Sequence, residues 1–168
     1  MKYKNNLLKK IKNKSAKICV VGLGYVGFPL MDLIKKKGFE VVGIDTDNSK
    51  VNALKKKLFS VSNNYSEIKN SDIIIYALPT PLNQNKKPDL RILKKSILIS
   101  SGYFKKGQLA VIESTSYPGT TRECFKKTAS LFDIGKNFFI SYSPERIDPG
   151  NKNYDVKNIP KIISGFTK

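Results

Sequence analysis

The chain has 168 residues, of which 40% are hydrophobic and 26% charged, so it reads as one domain with a buried core and not as a disordered chain. Lys and Arg number 31 against 13 Asp and Glu, a formal charge of +18. There is no His and there are only two Cys, which excludes His-dependent triads, imidazole acid–base chemistry, Cys-based zinc sites and a disulfide scaffold. Residues 1–17 carry seven Lys and no acid and read as a solvated basic arm, with 1–16 preceding a domain at 17–168. No apolar stretch follows the basic start, so no secretory leader is expected. No apolar run approaches the roughly 18 residues that cross a bilayer. A cytoplasmic protein with no membrane partner is expected.

The elements then alternate between apolar strand-like runs and amphipathic helical runs, the pattern of an α/β fold with a parallel sheet. Residues 18–22 form a buried strand. Residues 29–37 continue a helix, with Leu30, Leu33 and Ile34 at helical spacing and Gly38 as its stop. Strand 40–45 and a short helix at 49–57 follow, then a short strand at 59–62 and a clear buried strand at 72–78. A helix at 90–100, a strand at 109–114, a helix at 120–132 after a Pro118–Gly119 turn, and a strand at 138–143 complete the pattern, with 161–164 as a possible seventh strand. The expectation is a single Rossmann-type, doubly wound parallel sheet of about six strands.

Gly22, Gly24 and Gly27 form a G-x-G-x-x-G turn directly after the first strand and at the start of a helix. The first glycine permits the tight turn, the second lets backbone approach a pyrophosphate, and the third lets helix and strand pack closely. Asp45 closes the second strand 23 residues after Gly22, where a carboxylate accepts bonds from ribose hydroxyls and repels a 2′-phosphate. The cofactor expected is therefore NAD. Of the 31 basic residues, 28 are Lys, scattered as short runs such as 35–37 and 55–57, mostly where a helix ends or a loop starts. Readers of base edges rely on Arg, so no nucleic-acid partner is expected. A basic nucleic-acid binder on this fold and a stand-alone NAD-binding fragment stay open as alternatives. Cys19 lies in a buried strand and reads as a small hydrophobe.

Three further segments are more specific: Leu78-Pro-Thr-Pro81, Glu113-Ser-Thr-Ser-Tyr-Pro-Gly-Thr-Thr121, and Ser143-Pro-Glu-Arg-Ile-Asp-Pro-Gly150. With the glycine turn and Ile162-Ile-Ser-Gly165, residues 16–168 resemble the N-terminal domain of the UDP-glucose/GDP-mannose 6-dehydrogenase family, and within it the UDP-N-acetylhexosamine branch. That resemblance implies oxidation of the C6 alcohol of a UDP-sugar to the uronic acid with two NAD+, through a cysteine-bound thioester. It implies cofactor contacts at Gly22, Gly24, Tyr25, Val26, Gly27, Asp45, Lys50, Thr80, Pro81, Ser114 and Thr115. It also implies a water-positioning role for Thr115 and acid–base work for Glu145. On the residues alone, a Thr in the place of Thr115 is more often a helix or turn cap. Glu145 is either a shielded acid after Pro144 or a surface carboxylate paired with Arg146. No metal site is expected.

Two departures from the family matter. Neither Cys19 nor Cys124 matches the family's catalytic cysteine, so the chain is expected to be inactive alone, a truncated or separate part whose Cys-bearing domain belongs elsewhere, on a further segment or a partner chain. The connection after the second strand is also shortened, which is expected to open the adenine side of the cofactor site.

Overall fold

The computed structural model describes residues 2–144 and 160–167. Seven strands make one sheet: β1 (Lys17–Val21), β2 (Glu40–Ile44), β3 (Val61–Ser62), β4 (Ile73–Tyr76), β5 (Leu109–Ile112), β6 (Phe139–Tyr142) and β7 (Ser164–Gly165). Their order is β3-β2-β1-β4-β5-β6-β7, and every pairing is parallel except β6 with β7. The direction of winding reverses between β1 and β4, the switch point at which open α/β sheets bind ligands. The sheet thus departs from the expected all-parallel one at its edge, where β7 lies antiparallel and starts later than 161.

Alternation along the strands builds a core on each face. Cys19, Val21, Ile74, Tyr76, Ala110 and Ile112 point to one side, where Leu93 and Ile97 of α4 (Arg91–Ser100) and the buried rings of Phe125 and Phe138 cover them. Ile18, Val20, Val41 and Ile73 point to the other, against Met31 of α2 (Gly27–Lys36) and Val51 and Leu54 of α3 (Asn48–Lys56). Asp47 caps α3: its carboxylate accepts from the N–H groups of Ser49 and Lys50.

Two helical segments differ from the sequence expectation. The helix expected over 120–132 is broken into α5 (Thr120–Cys124) and α6 (Lys126–Leu131). Between them Phe125 takes φ −100° and ψ 14°, and its ring is fully buried 6.4 Å from both Tyr76 and Phe104. Aromatic packing there fixes the backbone outside helical geometry. An unexpected 3-10 helix runs Tyr65–Asn70, started by the Asn64 side chain accepting from the Ser66 N–H.

The basic arm is not solvated chain. It forms α1 (Lys2–Lys12), which lies across the N-terminal edge of the sheet. Leu7 is buried among Ile18 and Ile73, and Tyr3 packs against Gly107 just before β5. Asp72 anchors the docking, one oxygen accepting from Lys10 Nζ at 2.7 Å and the other from the Lys17 N–H at 3.0 Å. Five lysines among eleven residues mask the apolar side of this short helix, on which Leu7 and Ile11 stand one turn apart. No helix among the described residues is long and apolar enough to cross a membrane.

Candidate functional site

A cleft of about 820 Å³ opens at the C-terminal edge of the sheet, where the turns after β1, β2, β4 and β5 converge. Gly22, Gly24, Tyr25, Val26, Asp45, Lys50, Thr80, Pro81, Ser114 and Thr115 all line it, which brings together most of the residues expected from sequence. Gly27 does not line it, and Glu145 lies outside the described residues.

The three glycines have separate physical reasons. Gly22 sits at φ +92°, and a Cβ there would stand 2.6 Å from the Ala77 carbonyl oxygen. At Gly27 a Cβ would stand 1.8 Å from the Gly22 carbonyl oxygen, so strand and helix cross at the closest approach their backbones allow. A Cβ at Gly24 would meet nothing within 4 Å. That glycine is dispensable for packing, and its missing side chain leaves the cleft open over the start of α2. No side chain caps α2; the Phe28 N–H is taken by the Gly24 carbonyl and Pro29 has none, so it is the turn before the helix, Gly24 to Val26, that faces that space. An anionic group such as a pyrophosphate fits there.

Asp45 organises the opposite wall. One carboxylate oxygen accepts from the Leu23 N–H at 2.8 Å and from Lys50 Nζ at 2.9 Å, and the other accepts from the Asp47 N–H at 3.0 Å. The carboxylate therefore ties the glycine turn to the end of β2. Burial alone would raise its pKa; the bonds from Asp47, Lys50 and Leu23 outweigh that and hold it below the usual carboxylate range. Asp45 stays charged, and keeps its lone pairs for a ribose, until the pH falls below that of an ordinary Asp.

The far wall comes from the loops after β4 and β5. The Thr80 hydroxyl donates to the Thr115 carbonyl at 2.8 Å, and the Ser114 hydroxyl accepts from the Leu78 N–H at 2.9 Å. Ser114 is buried and holds the two loops in register, whereas the Thr115 side chain is exposed at the rim. Glu113 is buried at the end of β5 and pairs with Lys161 at 2.6 Å, joining this wall to the segment before β7.

Sequence reasoning missed Tyr65, Lys95, Ser96 and Glu113, all of which line the cleft. Tyr65 and Ser96 are hydrogen-bonded at 2.9 Å and close the side near Asp45. The shortened connection after β2 thus still delivers an aromatic wall through the 3-10 helix. Lys95 had a signal in the Lys94–Lys95 pair, but only the placement of α4 shows which of the two faces the cleft.

The two thiols are poor nucleophiles. Burial pushes Cys19 up to about 12, and burial likewise pushes Cys124, half-covered on α5, up to about 11. At pH 8 a thiol reagent is expected to leave Cys19 unmodified in the native protein and to reach Cys124 far more slowly than a free thiol. Rapid labelling of both before denaturation contradicts this. Among the described residues no three His, Cys, Asp or Glu side chains group to hold a metal ion.

The chain is 37% identical over 169 residues to Protein CapL of Staphylococcus aureus, covering 89% of this chain and 39% of that protein. It is 35% identical over 173 residues to a UDP-N-acetyl-D-glucosamine 6-dehydrogenase of Pseudomonas aeruginosa, covering 92% and 41%. A solved UDP-D-ManNAc dehydrogenase from Pyrococcus horikoshii superposes with a TM-score of 0.78 at 29% identity, over 89% of this chain and 41% of that one. The chain thus spans about two-fifths of the length of these relatives. The UDP-glucose/GDP-mannose dehydrogenase family, NAD binding domain, matches residues 16–64 and 55–168. This chain accordingly belongs to the UDP-glucose/GDP-mannose dehydrogenase family, carries its NAD binding domain, and takes NAD as its cofactor.

Proposed function

We propose that this chain is the cofactor-binding part of a nucleotide-sugar 6-dehydrogenase acting on a UDP-N-acetylhexosamine. The observation that carries this reading is the convergence, in one cleft, of the Gly24 gap, the Asp45 carboxylate and the loops bearing Thr80 and Thr115. Relatives named as dehydrogenases of UDP-N-acetyl-D-glucosamine and UDP-N-acetyl-D-mannosamine support the substrate class. NAD+, when bound, supplies the acceptor for a hydride from the sugar alcohol.

The residues of this chain bind and orient. The glycine turn before α2 takes the pyrophosphate, and Asp45, held ionised by the Asp47 N–H and Lys50, accepts from the adenosine ribose hydroxyls. Pro81 and the Thr80 to Thr115 bond fix the two loops at the reacting end. Thr115 positions water, and Glu145 serves as the acid–base group. Both roles follow from the family resemblance carried by the Glu113-Ser-Thr115 and Ser143-Pro-Glu145 motifs. Cys19 and Cys124 are unsuited to hold a thioester, so the nucleophile comes from protein outside these 168 residues, on the same polypeptide or on a partner chain.

Calorimetric titration tests the reading. Saturable binding of NAD+ is expected, with weaker binding of NADP+. Asp45→Ala is expected to weaken NAD+ about tenfold, equivalent to about 1.4 kcal/mol. The same change frees Lys50 Nζ beside the ribose, so the preference over NADP+ should shrink or invert. Absence of NAD+ binding at millimolar concentration overturns the proposal.

A further inference from the structure

We propose that the N-terminal edge of the sheet, opposite the cofactor cleft, is a surface that seats on an anionic lipid bilayer. In a parallel α/β sheet every helix that follows a strand ends at this edge. Here those ends carry the lysine runs: Lys35–Lys37 close α2, Lys55–Lys57 close α3, and Lys105 and Lys106 stand between α4 and β5, all exposed. The basic helix α1 and the turn after it lie across the same edge, with Tyr3 beside Gly107 before β5, Lys14 beside Gly38 before β2, and Lys2, Lys4, Lys9 and Lys12 exposed. Most acids of this edge are already matched: Asp72 with Lys10, Glu40 with Lys17, Asp32 with Lys36 and Asp133 with Lys136. Among the described residues Glu67 is the other, half-buried in the 3-10 helix. The unmatched charge left on this face is therefore positive.

Two apolar side chains stand within this basic field. Leu8 on α1 is 53% exposed, and Leu58, in the turn after α3 at φ 60°, is 85% exposed. Lys35 Nζ donates to the Leu58 carbonyl, which places the α2 and α3 lysines around that leucine. Lysines flanking exposed leucines match a headgroup layer, with charge at the phosphates and the leucines reaching the acyl boundary. A polynucleotide is the poorer match. The described arginines, Arg91 and Arg122, lie on α4 and α5 away from this edge. The exposed aromatics Tyr25 and Tyr117, which could stack on bases, belong to the cleft turn and the loop after β5. Seated this way, the protein keeps its cofactor cleft facing the aqueous side.

Co-sedimentation with vesicles tests this. Vesicles of phosphatidylcholine with one-third phosphatidylglycerol are expected to bind the chain at 50 mM salt and to release it at 500 mM. Vesicles of phosphatidylcholine alone are expected not to bind it. Reversing four exposed lysines, Lys9→Glu, Lys12→Glu, Lys56→Glu and Lys106→Glu, should lower the partition coefficient at least a hundredfold. NAD+ affinity and the circular dichroism spectrum serve as the folding controls for that variant. The pair Leu8→Ser and Leu58→Ser should lower partition severalfold without changing the salt slope. Equal binding to neutral and anionic vesicles, an unaffected charge-reversed variant, or tighter binding to duplex or single-stranded DNA than to anionic vesicles each overturns the proposal.

Discussion

Gly27→Ala is expected to abolish cooperative folding or to lower Tm by about 10 °C or more, while Gly24→Ala leaves Tm within about 2 °C and costs NAD+ at least tenfold in affinity. The two substitutions are chemically identical and three residues apart. Their environments differ completely. At position 27 the new methyl would lie 1.8 Å from one backbone atom, the Gly22 oxygen, and 3.0 Å from its carbon. Neither atom can move aside. Gly22 is itself pinned between Ala77 and the Ile44 carbonyl, which accepts its N–H at 2.8 Å. Relief requires α2 to lift off β1, which uncovers Met31 and the core around it. A cost of about 4 kcal/mol or more follows, a large share of the stability of a domain this size. At position 24 nothing stands within 4 Å and the backbone is not left-handed, so alanine fits and can even stabilise slightly by restricting the unfolded chain. Its methyl instead projects into the space that a pyrophosphate must enter. Thermal melts and NAD+ titrations on the two variants check both halves. If Gly24→Ala binds NAD+ like the parent, the phosphates do not approach the turn there.

The features legible in the sequence were those written by one segment at a time. Ile18 to Val21 and Ile73 to Tyr76 are apolar throughout because both faces of their strands are covered, and such runs show without any partner. The glycine turn and Asp45 are likewise local to one β-α-β unit. What stayed hidden depends on distant segments meeting. Phe125 breaks its helix because Tyr76 and Phe104 wait for its ring, and nothing within 120–132 announces them. Leu7 and Ile11 make an apolar face only two residues wide, which becomes meaningful once Asp72 offers Lys10 a partner 62 positions away. Tyr65 and Lys95 reach the cleft through the orientation of elements whose composition says nothing of a ligand. Glu113 opens a recognisable motif, but its pairing with Lys161 depends on β7 returning beside β6.

Gln108→Leu should destabilise the protein by about 3–5 kcal/mol, the largest effect expected from any substitution outside the apolar core and the glycine turn. Gln108 is wholly buried just before β5. Its amide nitrogen donates to the carbonyls of Ile68 and Ser71, each at 2.8 Å, and its amide oxygen accepts from the Lys105 N–H at 2.8 Å. One side chain thus satisfies three backbone groups at the end of the 3-10 helix and the entry to β5. Leucine of similar size takes a partner from all three: the Ser71 carbonyl and the Lys105 N–H lose theirs, at about 1–3 kcal/mol each before relaxation, while the Ile68 carbonyl keeps only the Ser71 N–H. Gln108→Glu separates hydrogen bonding from packing. The carboxylate keeps the acceptor facing Lys105 but turns an oxygen toward two carbonyls, so the charged form is disfavoured and its pKa rises above the unfolded value. The sign follows from that rise. The folded state binds the proton more tightly than the unfolded one, so the penalty is greatest above the folded pKa and shrinks as the pH falls through it. The Glu variant should therefore gain stability relative to the parent between pH 8 and pH 5, whereas the Leu variant should show no such relative change. Urea unfolding of the three proteins at the two pH values reads this directly. Equal stability of the Leu variant and the parent would mean that the three backbone groups find water instead. The 3-10 helix that Gln108 holds also carries Tyr65 to the cleft wall, so both variants should bind NAD+ more weakly even where they remain folded.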